Sequence, residues 1–536
     1  MQTLRQSMSW MHTWTGLLFG WVLYFMFLTG TAGYYDAEMD RWMRPEHPAP
    51  VEVTDPAAFV SMGLDHAAAA APDATEYRVF LPIARTTTPF VRVFTTSQSE
   101  DGEIVRGRYE LLADGSPLPA ARDTGGGQTL YRMHWTFHYI PAVIGEFIAG
   151  LAAVFMLAAI ISGIITHKKI FSDFFTLRLA KGQRSWLDSH NVVSVMTLPY
   201  QIMITFSGIL LVMTTFFLPI FIVHYGYNEN TQNTVLEEVF GITDPVERTG
   251  ENVALIDIAP LIARYEELLP DERVYIVTIT NPGDSTSTVQ LSGTIADGVL
   301  REPASVKFDG VTGEVLTVSR RKITNTMGVI NLLEGLHEGL FAGPVLRIGF
   351  VISGLMGGGM IATGLVLWTK KRRQKLRGDD KAERNLIIIE RLNVGVIAGL
   401  PIAIAALFYA NRLVPVGIEG RAEWEVNVMF LTWLALIVHG LARKPQSAWL
   451  EQLSAAAAVF AFIPMLNALT TDKHLGSTLP LPGRPGDPDL AVIDLWFLVI
   501  GAGFAYVATI AARKSGKINK KGGAIEGAAS EPAPAE

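Results

Sequence analysis

Cysteine is absent from the chain, which excludes disulfides, thiolate zinc centres, cysteine-ligated iron–sulfur clusters and covalent attachment of a c-type haem. Any metal must be held by His, Met, Tyr, carboxylate or backbone oxygen. Charge is scarce as well. Only 18% of residues are Asp, Glu, Lys or Arg against 49% hydrophobic, and the mean hydropathy is +0.28, too apolar for an ordinary soluble protein. The 44 basic residues are outnumbered by 51 acidic ones, for a formal charge of -7, so no overall positive field is available to hold a nucleic acid backbone. No nucleic acid partner is expected. The phosphate-binding loop, the His-Glu-x-x-His helix and the dinucleotide fingerprint are missing too. Gly125–Gly127 reads as a linker and Gly357–Gly359 lies inside an apolar run. A flavin- or nicotinamide-dependent electron donor would have to be another protein.

What the chain has in abundance is apolar runs of about 20 residues, the length that crosses a bilayer. Eight are found, at 17–35, 147–166, 192–223, 348–369, 392–411, 426–442, 452–471 and 495–512, and membrane lipid is therefore an expected partner. Basic residues crowd alternate loops: Lys168, Lys169, Arg178, Lys181 and Arg184, then Lys370 to Arg373, then Arg443 and Lys444, then Arg513 to Lys521. The positive-inside rule makes those loops and both termini cytoplasmic, with 36–131 and 225–333 outside. In a Gram-negative bacterium the location would be the inner membrane, multi-pass, with these segments in the periplasm. Both outer segments carry β-branched and aromatic runs, such as Tyr77–Phe80 and Arg273–Ile279, beside helix-like stretches such as Asp257–Leu269. Each is expected to be a small α+β domain.

The fold class expected is thus a mainly α membrane protein of eight transmembrane helices, a four-helix bundle plus four extra helices, with two outer α+β domains. The boundaries read 1–35 for the first span, 36–131 for the first outer domain and 132–224 for the second and third spans with their loop. They continue 225–333 for the second outer domain, 334–384 for the fourth span and its basic loop, 385–512 for the four further helices, and 513–536 for a disordered tail.

The first half is built twice, as span, outer segment, span, loop. His12 lies 18 residues before Gly30, and His190 lies 18 residues before Gly208. Phe137-His138 precedes the second span as Leu336-His337 precedes the fourth, and the inner ends read Ser162-Gly163 and Thr363-Gly364. Seven of the 11 His fall at these span ends: His12, His167 and His190 on the inner side, His134, His138, His224 and His337 on the outer. A single interfacial His is ordinarily a polar anchor. A two-sided cluster is different, because imidazole is the commonest metal ligand and a b-type haem between helices needs two of them, one on each face of the iron. Two haems b are expected. The outer one would be held by His138 and His337, with His134 a substitute for His138 one helical turn away. The inner one has three candidates, His12, His167 and His190; pseudo-symmetry favours His12 with His190, while His167 has no counterpart in the fourth span, where Trp368 takes its place. Arg347 and Arg132 on the outer side, and Lys168, Lys169 and Arg184 on the inner, are candidates for the haem propionates. No residue is assigned a catalytic role of its own.

These residues resemble the PepSY-associated transmembrane proteins, described as iron-regulated membrane proteins and including inner-membrane siderophore reductases. The likeness rests on His12-Thr13-Trp14-Thr15-Gly16-Leu17, on Ser162 to Thr176 and on Gln183 to Asn191, and covers about 1–375. It implies four spans, PepSY-type outer domains, and b-type haem carrying electrons to a ferric siderophore or similar ferric chelate, with His12, His138, His167, His190 and His337 as ligands. The function expected is reduction of that chelate in the periplasm, the donor being a quinol or a cytoplasmic reductase. The rival expectation is a PepSY-domain protein that binds a peptide or protease and regulates it without redox chemistry. Residues 385–521 depart from the family plan; Asn467 and Asp494 there could mark a path or belong to scaffold.

Overall fold

The computed structural model describes residues 3–82, 88, 90–99, 103–167, 183–226, 246–323, 326–376 and 380–528. Lys168, Lys169, Arg178, Lys181 and the stretch 168–176 of the family likeness lie outside them. A capping box at Thr3 and Gln6 opens α1 (Leu4–Leu18), which is followed by α2 (Gly20–Ala32), a single 3-10 turn and α3 (Asp36–Met43). Next come α4 (Pro56–Ala70), β1 (Glu76–Phe80), β2 (Val91–Gln98), β3 (Ile104–Leu111), α5 (Gln128–Thr136) and α6 (Ala142–Thr166). The second repeat runs through α7 (Gln183–Met196), α8 (Leu198–Leu211), short α9 (Met213–Phe216) and α10 (Leu218–Tyr225), then α11 (Ile258–Leu268), β4 (Ile276–Thr280), β5 (Thr288–Ser292), β6 (Ser305–Asp309) and β7 (Val315–Ser319). It ends with α12 (Thr326–Glu338) and α13 (Pro344–Lys375). Six more helices complete the chain: α14 (Asp380–Ile397), α15 (Gly399–Leu413), α16 (Arg421–Ala442), α17 (Pro445–Thr470), α18 (Leu475–Thr478) and α19 (Pro488–Ala528).

Among the described residues six helical stretches are long and apolar enough to cross a membrane, and up to eight if each of two bent pairs counts as one span. The chain is a multi-pass membrane protein. The bent pairs are α1 with α2–α3, broken by 63°, and α7 with α8, broken by 68°. Both breaks fall seven residues after a His, at Phe19 after His12 and at Thr197 after His190. The causes differ. Pro199 in the first turn of α8 cannot continue the amide ladder, whereas the first repeat bends between Gly16 and Gly20. The third expected span is also shorter than the 192–223 run suggested, because Pro219 opens a separate helix, α10.

The two outer segments do not form two separate domains. Their strands make one seven-stranded antiparallel sheet, ordered β3-β2-β1-β4-β5-β6-β7. The join is β1 on β4, with Tyr77 opposite Ile279 and Val79 opposite Val277. All four side chains are buried against α4 and α11, in a core with Val60, Leu261 and Tyr265. Each segment alone would leave an apolar strand edge unpaired; pairing the two edges removes both. The β6–β7 hairpin turns at Gly313, whose φ of +75° suits glycine, while the Asp309 carboxylate accepts the Val311 and Thr312 amides at 2.9 and 2.7 Å.

The tail departs from expectation as well. Backbone helix continues through Ala528, past the basic border at Arg513. Ala511, Ala512 and the following lysines are good helix formers that extend a helix already nucleated within α19.

Candidate functional site

The duplication brings four His side chains together as two pairs. His12 of α1 and His190 of α7 face each other with ring centroids 6.3 Å apart and planes inclined by 63°. His134 of α5 and His337 of α12 lie with centroids 6.5 Å apart and planes inclined by 20°. The second pair sits where the helices meet the sheet, the first at the far end of the bundle. Two imidazoles binding one metal from opposite sides at about 2.0–2.1 Å would set their centroids about 6.4 Å apart.

Each ring is fixed through Nδ1. His12 Nδ1 donates to the Ala159 carbonyl at 2.8 Å, and His190 Nδ1 donates to that of Met360 at 2.9 Å. His337 Nδ1 meets Ser207 Oγ at 2.9 Å; that hydroxyl already donates to the Met203 carbonyl, so the imidazole is the donor. His134 Nδ1 pairs with the Tyr131 carbonyl. With the proton on Nδ1, the lone pair sits on Nε2, and among the described residues none of these four Nε2 atoms has a hydrogen-bond partner. That tautomer is the metal-binding one.

A glycine of a neighbouring helix makes room for each ring. A Cβ at Gly163 would lie 3.1 Å from His12, at Gly364 3.2 Å from His190, at Gly208 3.2 Å from His337 and at Gly30 3.3 Å from His134. Ala159 and Met360 stand one turn before Gly163 and Gly364, so the carbonyl acceptor and the glycine platform come from the same stretch of helix. These glycines are the small-residue positions by which the repeat is visible in the sequence. Their spacing from His was legible, but that each serves the His of an adjacent helix was not.

The remaining expected ligands are placed elsewhere. Helix α5 ends at Thr136, and Phe137 and Tyr139 take positive φ of 53° and 56°, so His138 is no longer one turn along the same helix from His134. Its Nε2 meets Glu423 at 3.1 Å and its ring stacks on Phe430, both on α16. His167 caps the end of α6, its Nε2 accepting from the Asn191 amide at 3.1 Å. His224 closes α10 against Tyr225. Arg347 is engaged by Glu38, a buried carboxylate, and lies 5.0 Å over the Tyr35 ring; the sequence did not single out Glu38, which stands between Asp36 and Asp40 with nothing local to mark it as the buried one. Arg132 and Arg184 are exposed.

Asn467 and Asp494 belong to a closed network. Asn467 donates to Asp494 at 3.1 Å and accepts from Arg412 at 3.0 Å, Trp42 donates to Asp494 at 3.0 Å, and the Arg412 guanidinium lies 3.7 Å over the Trp42 ring. These contacts hold the last helices against α3.

Among the described residues no three His, Asp or Glu side chains converge to hold a bare metal ion. Each pair therefore offers two imidazole nitrogens and no third side-chain ligand of these types among the described residues, a donor set that suits a metal whose other positions are filled by a cofactor. A search of curated proteins finds no match. The family model for the PepSY-associated TM region matches residues 9–371, a span that contains both His pairs and ends before α14. The chain belongs to that family.

Proposed function

We propose that this protein is a haem b oxidoreductase of the bacterial inner membrane that reduces the ferric iron of a siderophore or similar chelate on the periplasmic side, where the sheet lies. Two haems would be held, one between His12 and His190 and one between His134 and His337. When bound, they supply reversible one-electron Fe(III)/Fe(II) chemistry. The single observation that carries the reading is the pair of ring separations, 6.3 and 6.5 Å, with Nε2 unengaged on all four rings.

The chain's own residues do the rest. Nδ1 donation to the carbonyls of Ala159, Met360 and Tyr131 and to Ser207 Oγ fixes tautomer and orientation and makes Nε2 the ligand. Buried neighbours such as Leu130, Met133 and Ala159 exclude water from the rings. The separation along the bundle is bounded by the 18 residues from His190 to Gly208, about 27 Å at 1.5 Å per residue and less with the bend at Thr197. The basic loops set the orientation, with termini inside and the sheet outside. Reduction would release the iron, because hard oxygen chelators hold Fe(II) far less tightly than Fe(III).

The test is a reduced-minus-oxidised spectrum of the purified protein, followed by addition of ferric chelate under anaerobic conditions. Haem bands that appear on reduction and are discharged by ferric siderophore support the proposal. Bands that persist with every ferric chelate tried would sink the reductase assignment, and a preparation without Soret absorption would sink the haem sites too.

A further inference from the structure

Between the His-bearing bundle and the last helices lies a cavity of about 300 Å³, at the lower end of the range for small-molecule sites. Its walls come from α2, α3, α5 and α13 on one side and from α15, α17 and α19 on the other. The lining is apolar and rich in rings, among them Tyr24, Tyr35, Phe408, Phe460, Trp496 and Phe497. Phe408 and Phe497 pack edge to face at 4.8 Å and Trp496 meets Tyr35 at 6.2 Å, so the wall is built from fixed aromatic faces.

Three features specify an occupant. First, the buried Trp496 indole N–H has no acceptor among the described residues, and an indole can only donate. A ligand with a carbonyl or hydroxyl oxygen would satisfy it; an acyl chain would not. Second, two of the three successive glycines of α13 line the cavity, with different duties. A Cβ at Gly358 would meet Leu28, whereas one at Gly359 would meet nothing within 4 Å. Gly359 thus opens space that close helix packing does not require. Third, the walls adjoin both ring pairs: Leu130 lies one turn before His134, Thr31 follows Gly30, and Gly359 and Ala362 flank the Met360 carbonyl that holds His190.

We propose that this cavity binds the ring of an isoprenoid quinone, with the ring among the aromatic side chains, one ring oxygen on the Trp496 N–H and the tail toward lipid. The proposal rests on the electron-carrying role argued above, for which a quinol is a donor that reaches a site within the bilayer. The balance is one quinol and two Fe(III) chelates giving one quinone, two Fe(II) and two protons released to water. The proposal also gives the helices beyond the family region a task, since α15, α17 and α19 form half the site.

The experiment uses the full chain in nanodiscs with a decyl-substituted benzoquinone as probe, binding measured by equilibrium dialysis and haem by absorbance on the same samples. Wild type should bind saturably. Gly359→Leu, which fills the space, should weaken binding at least tenfold, and Trp496→Phe, which keeps a ring and removes the donor, about tenfold, with Soret absorption unchanged in both. Absence of saturable binding by wild type overturns the proposal, as does binding by either variant as tight as that of wild type, or displacement of the probe by a saturated fatty acid at equal concentration. Saturable binding lost in Gly359→Leu from protein that holds no haem would leave the cavity assignment standing and remove the haem reading instead.

Discussion

The two membrane halves treat buried polar groups in opposite ways. In the first half, four imidazoles are anchored by one nitrogen and leave the other without a hydrogen-bond partner among the described residues. In the second half, buried groups engage one another. Arg421 is paired with Glu425, Asn411 donates to Glu425 at 2.8 Å, and Arg412, Asn467 and Asp494 form a chain that ends on Trp42. A buried polar atom without a partner is costly unless something else fills the site. The contrast therefore separates groups arranged for a ligand from groups arranged for docking, and Trp496, whose one polar atom has no partner among the described residues, is a member of the second half that belongs with the first.

The largest effects should come from the rings themselves. His12→Ala or His190→Ala should each remove the haem at the far end, and His134→Ala or His337→Ala the one near the sheet, halving Soret absorption in each case. His138→Ala should leave it intact, because His138 is engaged by exposed Glu423 and by the Tyr139 and Phe430 rings. Haem content by pyridine haemochrome decides between them, and retention in His337→Ala with loss in His138→Ala would reverse the assignment. One step out, Ser207→Ala removes the acceptor of His337 Nδ1 and should weaken haem retention at that end by about 10–100-fold, measured by transfer to apomyoglobin. An unchanged transfer rate would show that Ser207 does not orient the ring.

The repeat, the apolar stretches and the clustering of His at span ends are all legible in the sequence, because helical period and spacing are local properties. The choice between His134 and His138 is not. It depends on the left-handed backbone at Phe137 and Tyr139, which ends α5 before the next turn, and nothing short-range announces that. The spacings do not decide either: His337 stands 27 residues before Gly364, while His138 and His134 stand 25 and 29 before Gly163. The fusion of the two outer segments into one sheet was equally invisible, since β1 and β4 are about 200 residues apart in the chain and meet only through tertiary pairing. The role of Asn467 and Asp494 needed their partners, Arg412 and Trp42, which come from distant parts of the sequence.

Docking should respond differently from ligand binding. Arg412→Met would leave the Asp494 and Asn467 group without its cation and remove the stacking on Trp42, at a cost of about 3–5 kcal/mol. The expected result is earlier thermal unfolding and easier proteolysis between α13 and α14, with haem content retained. Loss of haem in step with the loss of stability would show that the two halves are one energetic unit and would erase the contrast.

The smallest effect tests the closed type of polar group where it is charged and outside the membrane. Asp284, between β4 and β5, is buried and accepts hydrogen bonds from the Thr286 hydroxyl and amide and from the Thr249 and Gly250 amides, tying the segment before α11 to the sheet. These donors, those of Thr286 first, hold its carboxyl well below the usual carboxylate range. A depressed carboxylate stabilises the fold fully above the unfolded value of about 3.9 and loses that contribution as pH falls below it. Asp284→Asn should therefore lower the unfolding temperature at pH 7, and the gap from wild type should stay constant down to about pH 5 and narrow below pH 4. A gap that is unchanged at pH 3 would mean that the hydrogen-bond geometry, and not the charge, holds this segment in place.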